Sequence, residues 1–148
     1  MTRPFRSLTL LVLAGVLAGN LSAGCSPLGP TSSPEVLPNA QLVVENFSGT
    51  LQVKGTAFYS FSVAESGTTY LSLITLKEGG VDSSVKVTLG IGTPRGTSCA
   101  TSSILSVVAD GSLSLTSTTD RGVHCALIFD PGNLTLPATF SLNITHPK

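Results

Sequence analysis

From Gln41 onward the chain alternates apolar and polar residues with a period of two. "AFYSFSV" sets Tyr59, Phe61 and Val63 on one face and Phe58, Ser60 and Ser62 on the other. In "SVKVTLGIG" the residues Val85, Val87, Leu89 and Ile91 share a face opposite Lys86, Thr88 and Gly90. In "ATFSLNIT" the inward set is Phe140, Leu142 and Ile144, with Ser141 and Asn143 outward. Successive side chains of a β-strand point to opposite sides, so this period predicts half-buried strands.

Further strands are predicted between turn signals. "QLVVEN" leads through "FSG" into "TLQVKG", and "TTYLSLITL" follows the turn "AESG". "GVHCALIFD" precedes the turn "DPGN". The stretch "TSCATSSILSVVADGSLSLTSTTDRG" has no Gly or Pro from Thr97 to Asp110, which would permit a helical turn. Its Ser, Thr and Val content disfavours helix, and "DG" at Asp110 is a hairpin signal. It reads as loop, strand, turn, strand. Eight or nine short strands at this spacing predict an all-β fold, an antiparallel β-sandwich of jelly-roll-like type over 41–148. The core would be Val, Leu and Ile with the six Phe of the chain and no Trp.

The first forty residues break this pattern. "MTRPFR" carries Arg3 and Arg6, and an apolar run from Leu8 to Gly19 follows, interrupted by Thr9. The run falls short of the roughly 20 residues a membrane span needs, and it has the pattern of a secretory signal peptide over 1–24. From Cys25 to Asn39, "CSPLGPTSSPEVLPN" holds four prolines and cannot form a helix or central strand. It reads as a Pro/Ser-rich tether over 25–40, spanning about 3 Å per residue where extended.

At the junction, "LSAGC" resembles the lipobox of bacterial lipoproteins, with Leu21 one residue further from Cys25 than is usual. The resemblance implies cleavage before Cys25, acylation of its thiol, and attachment to the cell envelope. Two or three chains on one residue hold far more firmly than the reversible grip of one. Ser26, standing where an Asp would favour inner-membrane retention, points to the outer membrane if the host is Gram-negative. The alternative is an ordinary cleavable signal with Cys25 unmodified.

Three cysteines in an exported chain leave one unpaired. With lipid on Cys25, Cys99 and Cys125 remain as a disulfide pair in a compartment that permits one. Two free thiols in separate strands are the alternative, because spacing does not prove connectivity.

Charge removes one function class. Leaving out Arg3 and Arg6, six Lys and Arg stand against eight Asp and Glu. That balance gives no basic patch, so nucleic-acid binding has no electrostatic support. The catalytic constellations are missing as well. There is no G-x-S-x-G elbow, and His124 and Cys125, as strand neighbours, point to opposite faces. His124 is expected at a surface or edge and His146 at the chain's end. "GIGTPRG" lacks the spacing of a dinucleotide loop and reads as a strand ending in a turn. The expectation is no enzyme, no cofactor and no metal. Asp110, Asp120, Asp130 and Asn133 are weak Ca²⁺ candidates, since turn oxygens can collect that ion, but the same residues are ordinary turn formers. The sequons at Asn46, Asn133 and Asn143 are read as coincidental in a bacterial chain rich in Ser and Thr.

"FSGTLQVKGTAFYSFSVAESGTTYLSL", "VTLGIGTPRGTSC" and "GVHCALIFDPGNLTLPATFSLNITHP" together resemble the bacterial pre-peptidase C-terminal type of domain over Gln41 to Pro147. The resemblance implies a β-sandwich accessory module and little about activity. His124 departs from it, as does the lack of an attached peptidase. The expected function is a non-catalytic, envelope-anchored lipoprotein acting as a structural or protein-interaction module. A carbohydrate-binding or Ca²⁺-assisted module is the alternative, with Tyr59 and Tyr70 as the candidate aromatic platforms. Partners would then be the membrane through the lipid, and envelope proteins or polysaccharide.

Overall fold

The computed structural model describes residues 41–148. The signal, Cys25 and the tether lie outside the described residues. Nine strands follow one another: β1 (Leu42–Leu51), β2 (Thr56–Val63), β3 (Gly67–Glu78), β4 (Val81–Asp82), β5 (Val87–Arg95), β6 (Ser98–Val107), β7 (Ser114–Thr119), β8 (Gly122–Phe129) and β9 (Ala138–Pro147). They form two antiparallel sheets. Sheet A has the order β1-β9-β3-β4, with β7 also paired to β3, and sheet B has the order β2-β8-β5-β6. The expected β-sandwich is the fold, and among the described residues there is no helix.

The alternating positions build the core. Phe61 and Val63 of β2, Leu71, Leu73 and Leu76 of β3, Val87, Leu89 and Ile91 of β5, and Phe140, Leu142 and Ile144 of β9 are all buried. Those of β2, β5 and β9 are the inward sets that the period of two predicts, whereas in β3 a register shift between Leu73 and Thr75 breaks the period and brings Leu76 inward. Every buried side-chain nitrogen and oxygen among the described residues has a hydrogen-bond partner. Both sheets, their shared core and its polar accounting are complete within 41–148, so this segment has what it needs to fold alone.

Local chemistry explains where the chain turns. Gly79 and Gly80 both have positive φ (56° and 87°) between β3 and β4, the geometry that a two-residue hairpin loop requires. Gly96 (φ 58°) turns β5 into β6. These are the two hairpins of the fold, since every other pair of consecutive strands lies in opposite sheets.

Two expectations change here. "FSG" is not a break: β1 runs unbroken through Phe47, Ser48 and Gly49 to Leu51. Gly49 keeps the alternation but makes room, because a Cβ there would lie 2.5 Å from the Tyr59 hydroxyl. The "DG" at Asp110 and the "DPGN" turn do reverse the chain, yet neither makes a hairpin. The first carries β6 of sheet B to β7 of sheet A, and the second carries β8 to β9. Turn residues dictate a local reversal, while strand pairing is decided by which face each strand must bury.

Candidate functional site

The outer face of sheet B is where the molecule departs most from a plain sandwich. Cys99 on β6 and Cys125 on β8 are joined by a disulfide, although β5 runs between their strands. Two strand spacings amount to about 9.6 Å, yet the two Cα atoms are 5.9 Å apart. The tip of the β5–β6 hairpin must therefore fold over the sheet. Gly92, opposite Cys125, permits this, because a Cβ at that position would land on the Ala100 carbonyl. An extra residue on β6, Ser102, shifts the register between Ile91 and Gly92. Its hydroxyl donates to the Ile91 carbonyl (3.2 Å). Closing 26 residues of chain in this way stabilises by about 3.5 kcal/mol in the chain-entropy model.

The remaining outward positions of sheet B carry no charge along β2 and β8 and mix apolar residues with the hydroxyls of Thr56, Ser60, Ser62, Thr88 and Ser106. Strand register aligns Phe58, Leu127, Gly90 and Ile104 across the sheet. Val123, Cys125, Leu127 and Phe129 follow one another along β8. Ile104 is 64% exposed and Val123 57%. The outer face of sheet A carries amides as well as hydroxyls, and it also exposes Leu42, Val44 and Tyr70. Its rows read Asn46, Asn143, Ser72, Ser114 and Val44, Thr145, Tyr70, Thr116. Its hydroxyls pair with one another, as in Ser72 with Ser114 (2.5 Å) and Thr75 with Ser141 (2.8 Å).

His146 sits deeper than its sequence position indicates, and His124 is half-buried. Phe61 lies between them, its ring centre 5.9 Å from His124 and 5.3 Å from His146. His124 Nε2 donates to the Asp120 carbonyl (2.7 Å), so the side chain belongs to the inner face of β8 while Cys125 belongs to the outer. His146 is only 2% exposed. Its Nδ1 donates to the Pro147 carbonyl (2.8 Å) and its Nε2 lies 3.0 Å from Glu45 Oε1 on β1. Glu45 is thus an inward-pointing charge on an edge strand, a feature that discourages pairing with a stray strand.

The four Ca²⁺ candidates are not gathered into a site. Among the described residues no three metal-ligating side chains come together. Asp110 accepts from the Ser112 backbone N–H (2.8 Å) and hydroxyl (2.6 Å). The Ser112 hydroxyl, then its backbone N–H, hold the Asp110 carboxyl below its usual range. Asp120 accepts from the Ser66 hydroxyl at 3.5 Å. Asn133 donates to the Lys86 carbonyl (2.8 Å). Asp130, buried at 3% exposure, accepts from the backbone N–H groups of Lys54, Gly132, Asn133 and Leu134. Burial pushes its carboxyl up, but the four donors together outweigh that and hold it below the usual carboxylate range.

Tyr59 is no aromatic platform. Its ring packs 4.8 Å from Phe47 and 6.2 Å from Phe140, and its hydroxyl donates to the Ser48 carbonyl (2.9 Å). Burial raises its pKa. Tyr70 is 40% exposed on sheet A. Asn46 and Asn143, two of the sequon residues, face each other across β1 and β9.

One carboxylate escaped the sequence reading. Glu78 accepts from the Thr135 and Leu136 backbone N–H groups and from the Thr135 and Ser83 hydroxyls. The Thr135 N–H, then the Leu136 N–H, then the Ser83 hydroxyl, lower its pKa. No spacing in the sequence announces a contact made 57 residues away. An open cleft of about 570 Å³ is lined by Gln41, Ala64, Glu65, Arg121 and Lys148. Its lining brings the Glu65 carboxylate together with the Arg121 guanidinium and the Lys148 amine.

Fold and disulfide together define a two-sheet β-sandwich pinned by the Cys99–Cys125 bond. Searches find no matching family model and no matching curated protein. Among solved structures the chain is similar to the Yersinia pseudotuberculosis-derived mitogen, with a TM-score of 0.51 at 14% identity. The likeness covers 70% of this chain and 86% of that one. At that identity it speaks to the β fold alone.

Proposed function

We propose that the chain is a non-catalytic lipoprotein of a bacterial envelope, held by acyl groups on Cys25, whose sandwich serves as a structural or protein-interaction module. The pairing of Cys99 with Cys125 carries this reading. It accounts for two of the three cysteines and leaves the odd one in "LSAGC", where a lipobox needs it. A disulfide also fits an exported chain better than a cytosolic one. The likeness to the pre-peptidase C-terminal type of domain belongs to the same proposal and adds an accessory role. In a Gram-negative host the outer membrane is the address that Ser26 favours.

Mass spectrometry of the membrane fraction tests the anchor. A lipid-bearing N-terminal peptide beginning at Cys25 is expected, and Cys25→Ser should release the protein from the membrane. A mature chain that starts elsewhere, or a Cys25→Ser protein that still partitions with the membrane, would overturn the reading.

The exposure of Tyr70 between Thr145 and Thr116 favours one alternative, a carbohydrate-binding module using sheet A. Glycan binding lost in Tyr70→Ala, with the fold intact, would favour it.

A further inference from the structure

We propose that His146 and Glu45 form a one-proton clasp that holds edge strand β1 on β9 in mildly acidic surroundings and frees its first residues as pH rises. The inference stands apart from the envelope reading and uses neither the lipid nor a partner.

The first step is a count of hydrogens. His146 Nδ1 lies 2.8 Å from the Pro147 carbonyl, which can only accept, so Nδ1 carries a hydrogen. Nε2 lies 3.0 Å from Glu45 Oε1. A neutral imidazole has one N–H, here already committed, so its Nε2 would set a lone pair against a carboxylate. The contact therefore holds one proton, as imidazolium against carboxylate or as imidazole against carboxylic acid. With that proton the pair is a hydrogen bond in a nearly dry place, since the His146 side chain is 3% exposed. Without it two acceptors face each other, and burial makes such a mismatch costly. Glu45, whose side chain is 34% exposed, can then turn to water, whereas His146 cannot.

The second step is position. Val43 stands directly across from His146 and Ile144 across from Glu45, so the pair is a diagonal one on the inner face. Among the described residues β1 pairs with β9 alone, and its other edge is free. Just beyond the clasp, the Lys148 N–H donates to the Gln41 carbonyl (2.8 Å). A side-chain contact near the beginning of such a strand decides how readily its first residues fray.

Among the described residues no other charge takes the clasp's place. β2 sends the Phe61 ring against His146, and β8 sends His124 to the far side of that ring, with Nε2 on the Asp120 carbonyl. β3 turns Tyr70 to the other face, and β7 has no ionisable residue. Glu65, Asp120, Arg121 and Lys148 are exposed, outside the strands.

The proton count gives the sign. An unfolded chain holds one proton on these two groups between about pH 4.3 and 6.5, the ordinary Glu and His values. The folded pair holds one as well, so its contribution is greatest there. Above that range the unfolded chain sheds a proton that the clasp requires, and stability falls with rising pH.

Urea unfolding of residues 41–148 as a function of pH, parent against Glu45→Gln, tests this. A glutamine amide donates to Nε2 or accepts from it by turning over, so the variant should be indifferent to the proton. Above about pH 6.5 the parent's unfolding constant should rise relative to the variant's, about fivefold or more in all and at most about tenfold per pH unit. A flat or falling ratio would overturn the proposal. His124→Gln should keep the rise, and its loss there would overturn the proposal by assigning the effect to the other ring. Amide exchange in the parent needs no variant and decides the matter even if Glu45→Gln does not fold. Corrected for base catalysis, exchange at Val43, Val44 and Glu45 should quicken on passing the ordinary imidazole value, while β8 stays protected. Equal quickening in β8, or none in β1, would overturn the clasp.

Discussion

β8 and β9 hold equivalent places, each in the interior of its sheet, and solve the burial problem differently. β9, between β1 and β3, alternates strictly: Phe140, Leu142 and Ile144 are buried while Thr139, Ser141, Asn143 and Thr145 face outward. β8, between β2 and β5, turns apolar residues to both sides. The inner faces of the two strands are interchangeable in character, since both feed one core. The outer faces are not. A polar outer face costs nothing in water and specifies register, because a one-residue slip would bury Asn143 and expose Leu142. An apolar outer face gives up that protection and needs a cover. Sheet B supplies part of its own cover by folding a hairpin tip over Gly92 and locking it with a disulfide.

Removing that lock should produce the largest effect. Replacing both Cys99 and Cys125 by Ala is expected to cost about 3.5 kcal/mol, in line with the closed loop's chain entropy. Urea unfolding measures it. The loss should fall on sheet B, so amide exchange should accelerate in β5, β6 and β8 before β9. A stability change under 1 kcal/mol would mean that the hairpin tip holds its folded position without the bond, and that β8 is covered by packing alone.

The connection between the two contrasted strands comes next. Asp130 follows β8 directly and gathers the backbone N–H groups of Gly132, Asn133 and Leu134, together with that of Lys54 in the β1–β2 turn. Asp130→Ala leaves four donors without their acceptor and should cost on the order of 3 kcal/mol. The pH dependence has a definite sign. The folded carboxyl is held below its usual range, so the unfolded chain binds the proton more readily. Its contribution is fully present above the unfolded value of about 3.9 and is lost as pH falls through the folded value. Acid should therefore destabilise the parent protein more than Asp130→Asn. Equal acid sensitivity in the two proteins would contradict this assignment.

Much of this comparison was legible in the sequence. Strict alternation in "ATFSLNIT" identified the inner face of β9 residue by residue, because burial on one side and water on the other leave a period of two. Less was legible in "GVHCALIFD". An apolar run on both sides names a strand without saying what covers it. The disulfide was legible as a count of cysteines, but not the fold-over at Gly92, which depends on a backbone approach that only three dimensions bring about. The turn residues Asp110 and Asp130 were read correctly as turn formers, whereas the hairpin expected at Asp110 was not realised. Pairing across sheets is a non-local decision. For the same reason His146 and Glu45, 101 residues apart, gave no signal.

That pair gives a middle-sized effect on the side of β9. Glu45→Ala strands the buried His146 Nε2 without its partner and should cost about 1–3 kcal/mol, the penalty for one unsatisfied buried polar group. Glu45→Gln, which keeps an acceptor oxygen, should recover part of it. If both substitutions prove neutral in thermal unfolding, the contact does not contribute to holding β1 on β9.

The smallest effect is expected on the outer face of sheet A. Asn143 points outward from β9 between Asn46 and Ser72, neither of which is charged. Asn143→Lys adds one cation to a face with no like charge in the adjacent rows, and a lysine stem can lie along the neighbouring hydroxyl-bearing side chains. The change should stay within about 0.5 kcal/mol, as for most surface substitutions away from special features. Leu127→Lys, at a comparable outward position on β8, should cost clearly more, because Leu127 leans over Gly90, 3.5 Å from where a Cβ would stand. The pair of substitutions turns the difference between the two faces into a single measured difference in unfolding midpoint. If Asn143→Lys costs as much as Leu127→Lys, the hydroxyl and amide rows are holding sheet A together and the two faces are not opposites.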